Sequence, residues 1–392
     1  MKPKIAHFGF RIKGVEASEA DVKRREFVKR SLFATGSAMA TLAFPKTPFA
    51  ASPRKNILIL GGTSFLGPAV VEEALIGGHK VTLFNRGITH PELFPQVEKL
   101  WGFRAIDLRQ QHLGSLEGSR RWDAVIDVWP SAPTLAATAA TLLKDRTDHY
   151  LYVSSIGVYA SFGEPNIHED APIKAFNGDE EDYSPAKAES ERRLKAIVGN
   201  KLTIVRPCAI TGWRATGPDT LSWLLRAQSG GTHIGPGDGN DPVQQVDVKD
   251  VARFLITSVE RHITGTFNLT DRSRSFRDFL AACNEATDSN AEWIWIPRNF
   301  LAREGIADWN HFVGWRTDPA WRGFAQISSE RAFNVGWKPR SFTETASDIL
   351  EWYRRPGVKI WDWHDPQQTP WRDPLTLEKE QAVLSDWKRT SA

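Results

Sequence analysis

Cysteine is scarce in this 392-residue chain, with Cys208 and Cys283 the only two. A fold stapled by several disulfides is excluded, and one bridge is the most that can form. The two are expected to be buried free thiols. The 10 histidines show no metal-ligand spacing, so no metal site is expected. No internal repeat or low-complexity tract occurs. The uncharged stretch from Ser31 to Phe44 is too short and too mild to span a membrane permanently. Excess positive charge is also absent from most of the chain. The formal +3 comes from residues 1–50, which hold 10 Lys and Arg against 4 Asp and Glu, and the remainder is near −3. Charge therefore offers no argument for nucleic acid as a partner, and none is expected.

The first fifty residues read as an export leader. Lys23-Arg-Arg-Glu-Phe-Val-Lys29 resembles the twin-arginine motif, the stretch from Ser31 to Phe44 follows, and small residues come at Ala50-Ala51-Ser52. That order of charge, apolar run and cleavage-type residues implies the twin-arginine export machinery as a partner and the periplasm as destination. Some 340 residues remain, enough for one large α/β domain or two intimately joined ones.

The remaining chain opens on Asn56-Ile-Leu-Ile-Leu60 and Gly61-Gly-Thr-Ser-Phe-Leu-Gly67. A buried strand, a tight glycine turn and a helix start are expected. Pro68 lies in the first helical turn and Gly77-Gly78 ends the helix. Further strands are expected at Val81–Phe84, Asp123–Val128, Tyr150–Ser154 and Leu202–Val205, with helices over 134–143 and 185–197. This rhythm predicts a doubly wound parallel sheet of Rossmann type. The reading divides the chain into a leader over 1–52, a nucleotide-binding domain over 53–206 and a smaller substrate-binding region over 207–392. Some C-terminal segments are expected to return to the sheet. Of 16 tryptophans, 11 lie from Trp293 onward. They suit stacking on sugars, but most are expected to pack a loop-rich region.

A dinucleotide needs backbone amides at a helix N-terminus and small residues nearby. The segment Gly61, Thr63, Ser64, Phe65, Leu66 and Gly67 is the candidate pyrophosphate site, with Ser64 where a middle glycine is usual. After the second strand comes Asn85-Arg86 in place of the acid that holds an NAD ribose. An arginine there suits a 2′-phosphate, which favours NADP, with NAD the alternative. Asp107 is a further candidate for contacting adenine.

Tyr183-Ser-Pro-Ala-Lys187 puts a phenol and an ammonium on one helical face. The lysine charge is expected to lower the phenol pKa, and such a phenol can exchange a proton with a substrate hydroxyl. Ser154-Ser155 ends a strand upstream. In this order, over residues 56–355, the chain resembles the extended short-chain dehydrogenase/reductases, the NAD(P)-dependent epimerase/dehydratase family. The resemblance implies that Ser155 and Tyr183 are catalytic, and that Lys187 joins them while holding the nicotinamide ribose. Arg206-Pro207 with Gly212, Val246–Ala252, Asn334–Arg340 and Thr345–Trp352 resemble later family segments. It also makes a homodimer expected. Two departures stand out. Ser64 is shared with atypical branches that include chloroplast RNA-binding relatives. Pro242-Val-Gln-Gln245 lacks the arginine that clamps a nucleotide-sugar diphosphate, a role left to Arg214, Arg226 or Arg253.

The expected activity is therefore hydride transfer at a carbinol or carbonyl carbon of a sugar or related small molecule. Export adds a condition: a cofactor carried into the periplasm must be retained and regenerated in each cycle. Two alternatives stay open, an NADPH-dependent carbonyl reductase and a non-catalytic nucleotide- or RNA-binding protein.

Overall fold

Ile57, Leu58, Ile59 and Leu60 are completely inaccessible to solvent. Their side chains alternate between two cores, as a strand covered on both faces requires. Ile57 and Ile59 join one cluster, Leu58 and Leu60 another. The computed structural model describes residues 53–128, 132–215, 219–308, 311–358 and 375–391. The expected leader over 1–52 lies outside the described residues.

The sheet is built from β1 (Asn56–Leu60), β2 (Lys80–Asn85), β3 (Glu98–Trp101), β4 (Trp122–Asp127), β5 (Thr147–Val153), β6 (Leu202–Pro207) and β7 (Gly265–Leu269). All seven are parallel, in the order β7-β6-β5-β4-β1-β2-β3. The winding direction reverses between β1 and β4, which opens a crevice at the carboxyl ends of these strands. Four strands were expected beyond β1; β3 and β7 are additions. Glu98-Lys-Leu-Trp101 is short and half charged, and Gly265-Thr-Phe-Asn-Leu269 carries only two apolar side chains, so neither stands out by apolar patterning.

Four helices cover the faces. On one side α1 (Leu66–Ile76) packs with α5 (Val248–Arg261), and on the other α2 (Pro133–Leu143) packs with α3 (Tyr183–Val198). Between α3 and α5 in the chain lies α4 (Asp219–Ser229). It belongs to a second core with α6 (Phe276–Thr287), α7 (Phe342–Tyr353) and α8 (Leu377–Ser391). A parallel ribbon of Thr232–Pro236 with Glu292–Ile296 lies beside them. Among the tryptophans from Trp293 onward, Trp315 packs edge-on against Phe312 at 5.9 Å and Trp387 against Phe300 at 4.9 Å, in the core that also holds Trp223. Both cysteines are buried free thiols. Burial pushes the Cys208 thiol up to about 12, which keeps it protonated and unreactive.

The turn after β1 is where backbone geometry dictates residue type. Gly61 and Gly62 have φ of 116° and 98°, which side chains resist. A Cβ on Gly67 would lie 2.6 Å from the Gly62 Cα, so glycine here lets α1 start against the turn. Ser64 is not among the positive-φ residues; the strained position is Phe65, at φ 36°. This explains why serine is accepted in place of the middle glycine. Replacing Gly67 by alanine should cost about 1–3 kcal/mol through overpacking. Urea unfolding checks this as a lower midpoint at unchanged slope; an unaltered midpoint would refute the close approach.

Candidate active site

The crevice holds a cavity of about 1010 Å³. Gly61, Thr63, Ser64, Phe65 and Leu66 line it, as do Asn85, Arg86, Ser155, Tyr183 and Lys187. Two expected residues do not. Gly67 acts behind the turn, through its contact with Gly62. Asp107 is outside the cavity lining, and its carboxylate is held by Arg109 at 3.0 Å and by Gln110 at 3.2 Å.

Asn85 and Arg86 have separate tasks. The Asn85 amide donates to the Gly61 carbonyl at 3.5 Å and accepts from the Gly87 N–H at 3.0 Å, tying two loops together. Arg86 is exposed and turned to the cavity lining. Among the described lining residues the charged side chains are Arg86, Lys174, Lys187 and Arg316, all cationic. Such a cavity attracts anionic ligands.

Ser155 precedes one turn of 3-10 helix over Ile156–Val158, and its hydroxyl accepts from the Gly157 N–H at 3.1 Å. It also hydrogen-bonds the Tyr183 phenol. Tyr183 is the first residue of α3, so Lys187 follows one turn later on the same face. The lysine behaves differently from expectation. Its ammonium donates to the Val153 carbonyl at 2.7 Å and lies 4.7 Å from the centre of the Tyr152 ring. Burial lowers it to about 8, against the opposing pull of Asp127 and Glu191. The half-exposed Tyr183 is raised above its ordinary value by desolvation, with only the Ser155 hydrogen bond lowering it. The expected downward shift from Lys187 is therefore corrected: desolvation of the phenol decides the direction.

Ser154 and Ser155 are told apart by their partners. The Ser154 hydroxyl donates to Glu191 at 2.6 Å in the interior. Glu191, on α3, receives two hydrogen bonds from Arg206 at 2.9 and 2.6 Å. Arg206 donates further to the Tyr159 hydroxyl at 3.1 Å and the Glu169 carbonyl at 3.0 Å. Tyr159 in turn donates to Asn268 at 2.6 Å. This network pins α3, and with it Tyr183 and Lys187, to β5, β6 and β7. A second buried pair, Arg104 with Asp127 at 2.7 and 2.9 Å, lies at the carboxyl end of β4, where Tyr150 also donates to Asp127 at 3.1 Å.

Several lining residues escaped the sequence reading. Gly62, Lys174, Arg316, Trp321 and Phe324 all face the cavity. Among the described residues, Trp321 is the tryptophan of the C-terminal region that joins this site. Arg214, Arg226 and Arg253, the expected substitutes for a diphosphate clamp, are not in its lining. Arg226 binds the Leu375 carbonyl and Glu380, Arg253 pairs with Glu73 and Asp250, and Arg214 lies over Trp213 and Trp352. No spacing rule links Arg316 to the glycine turn, so only the fold reveals it.

A doubly wound parallel sheet, a glycine turn at the switch point and a serine–tyrosine–lysine set in one crevice define a Rossmann-type protein of the short-chain dehydrogenase/reductase class. Residues 57–269 match the NAD dependent epimerase/dehydratase family, and the chain belongs to it. It is 28% identical over 256 residues to the chloroplast stem-loop binding protein of 41 kDa b of Arabidopsis thaliana. That match covers 60% of this chain and 64% of the plant protein. Among solved structures, it resembles the Bordetella bronchiseptica enzyme WbmG in complex with NAD, at 17% identity and a TM-score of 0.59. The match covers 80% of this chain and 98% of that one. UDP-glucose 4-epimerase of Thermus thermophilus, in complex with NAD, matches at 18% identity and a TM-score of 0.51, over 77% of this chain and all of the other. At these identities the structures establish the shared fold.

The Glu191–Arg206 pair tests how the site is held. Glu191→Ala leaves a buried guanidinium without its counter-ion and should cost about 3–5 kcal/mol. The double variant Glu191→Leu with Arg206→Met should cost much less, as read from urea midpoints. A double-variant loss as large as the sum of the two single-variant losses would show that the pair is not coupled.

Proposed function

We propose that this protein is an NAD(P)-dependent oxidoreductase of the epimerase/dehydratase type. It acts at a carbinol or carbonyl carbon of a sugar or similar hydroxylated molecule. The observation that carries the reading is the meeting of Ser155, Tyr183 and Lys187 beside the Gly61–Leu66 turn in one cavity. The turn fits a dinucleotide: positive φ at Gly61 and Gly62 and the close Gly62–Gly67 packing give the tight glycine turn that brings the start of the helix to the crevice. When bound, the nicotinamide supplies hydride acceptance and return.

The chain's own residues supply the acid–base chemistry. In its phenolate form Tyr183 takes the proton of the substrate hydroxyl as the carbinol is oxidised, and the phenol so formed returns it on reduction. Ser155, already bonded to the phenol, steadies the same oxygen. Lys187 offers a positive charge one turn below Tyr183 for the nicotinamide ribose and the developing phenolate. Its ammonium is partly desolvated, so a new hydrogen-bond acceptor gains more from it than from a hydrated lysine. Arg86, which lines the cavity at the end of β2 where an NAD enzyme usually places Asp or Glu, favours a 2′-phosphate and hence NADP over NAD.

The leader-like segment adds that the protein works in the periplasm after folded export, with its nucleotide retained through a redox-neutral cycle. Denaturing the purified mature protein should release one nucleotide per chain. An empty chain that binds NADP(H) and NAD(H) only weakly would overturn this. Tyr183→Phe should lower turnover by about 10²–10⁴-fold while the bound nucleotide stays. The stem-loop binding name of the Arabidopsis thaliana relative favours one second reading, a non-catalytic binding protein. On that reading Tyr183→Phe leaves function unchanged. For localisation, residues 1–55 fused to a reporter should direct export, and changing Arg24 and Arg25 to lysine should abolish it. Export that survives the change would exclude the twin-arginine route.

A further inference from the structure

Beside the main cavity lies a second, of about 470 Å³, within the range of roughly 300–1,000 Å³ typical of small-molecule sites. The two share Arg316, Trp321 and Phe324 as lining. This common wall is firmly built. The Arg316 guanidinium lies 4.2 Å from the Trp321 ring centre and 4.7 Å from that of Phe324. Trp321 stacks on Phe162 at 5.3 Å, with 14° between the planes. The Gly323 N–H donates to the Phe162 carbonyl at 2.6 Å. A Cβ on Gly323 would lie 1.9 Å from the Glu164 carbonyl oxygen, so a side chain there would push the wall off its support.

The two cavities differ in charge. The main one presents only cations among its described charged residues, whereas the second adds Asp238, Asp241 and Asp318, against Arg316 and Arg322. A nucleotide diphosphate entering the second cavity would meet these three carboxylates at close quarters, a repulsion that Arg316 and Arg322 only partly offset. An uncharged polyol meets complementary groups instead. The carboxylates accept hydrogen bonds from hydroxyls, and each oxygen has more than one lone pair to offer. Asp241 spends one oxygen on the Trp315 indole at 2.6 Å, and Asp318 one on the Ala320 N–H at 2.9 Å, which leaves acceptors on both. Asn240 and Gln326 add amides, and the edge of the Trp321 ring adds apolar surface for the C–H groups of a sugar.

We propose that the second cavity is a subsite for a neutral neighbouring sugar, so that the substrate is a glycoside of at least two units whose reacting unit lies beside Tyr183. This rests on the carbinol-oxidising reading of the main cavity. Arg316 and Trp321 then stand at the junction between the two units, where they decide how far the substrate extends.

The test uses the full purified chain, its nucleotide content measured separately. Saturation-transfer NMR and titration would compare cellobiose, maltose and N,N′-diacetylchitobiose with methyl β-glucoside and UDP-glucose. At least one disaccharide should bind ten-fold or more tightly than methyl β-glucoside. The double variant Asp238→Asn with Asp318→Asn should erase that advantage with nucleotide content unchanged and melting temperature little changed; both residues are exposed, Asn at 318 retains the capping oxygen, and Asn at 238 keeps the acceptor for the Asn240 N–H. Disaccharides that bind no better than the methyl glycoside, or not at all, overturn the proposal, as does UDP-glucose binding more tightly than every disaccharide. A nucleotide-loaded chain that prefers the single sugar sinks only the subsite. A chain with neither nucleotide nor sugar binding sinks the catalytic reading as well.

Discussion

The buried ion pair between Glu191 and Arg206 is the constraint on which the site depends. Its side chains are 0% and 2% exposed, so each charge relies on the other and on the hydroxyls around it. Glu191 lies two turns along α3 from Tyr183, and Arg206 lies near the end of β6. Locking the two together sets the height of the helix against the sheet. Ser154 joins the pair directly, and thereby positions Ser155, the next residue, at the edge of the cavity. A hydrophobic contact would have held α3 to the sheet without fixing its register along the axis. A bidentate pair fixes it, because two parallel hydrogen bonds tolerate little sliding.

A comparable economy operates at the other end of the crevice. Asn85 closes the loop at Gly87 and reaches back to Gly61, so the end of β2 and the glycine turn move as one. Arg104 and Asp127 brace the carboxyl end of β4 from below the surface. Among the described residues, the charged side chains that line the main cavity are Arg86, Lys174, Lys187 and Arg316. Its positive character is thus a product of which side chains the fold consumes as much as of which it contains.

The parts of the molecule that sequence made legible are local. The run from Asn56 to Leu60 is apolar at every position but its first, and its glycine turn needs positive φ, so both carry their signature in adjacent residues. Tyr183 and Lys187 declare themselves by a one-turn separation, and Ser155 by standing at a strand end. The edge strands β3 and β7 left little trace, since an edge can be short and polar. The pairing of Arg104 with Asp127 spans 23 positions with no periodic relation, and no pattern in the chain announces it. Arg214, Arg226 and Arg253 show the converse: charge type alone could not say which arginine faces the crevice.

By itself, then, the sequence determined the alternation of strand and helix, the glycine turn and the spacing of the serine, tyrosine and lysine, because each follows from backbone sterics or helical period over a few residues. Tertiary structure decided the rest. Burial, not the neighbouring lysine, set the direction in which the Tyr183 phenol moves. Gly67 became a packing residue behind the turn, and Asp107 turned to Arg109. Lys174, Arg316 and Trp321 came to the cavity from distant loops. These outcomes depend on which groups are desolvated together, and desolvation is a property of the packed fold that no short stretch of chain contains.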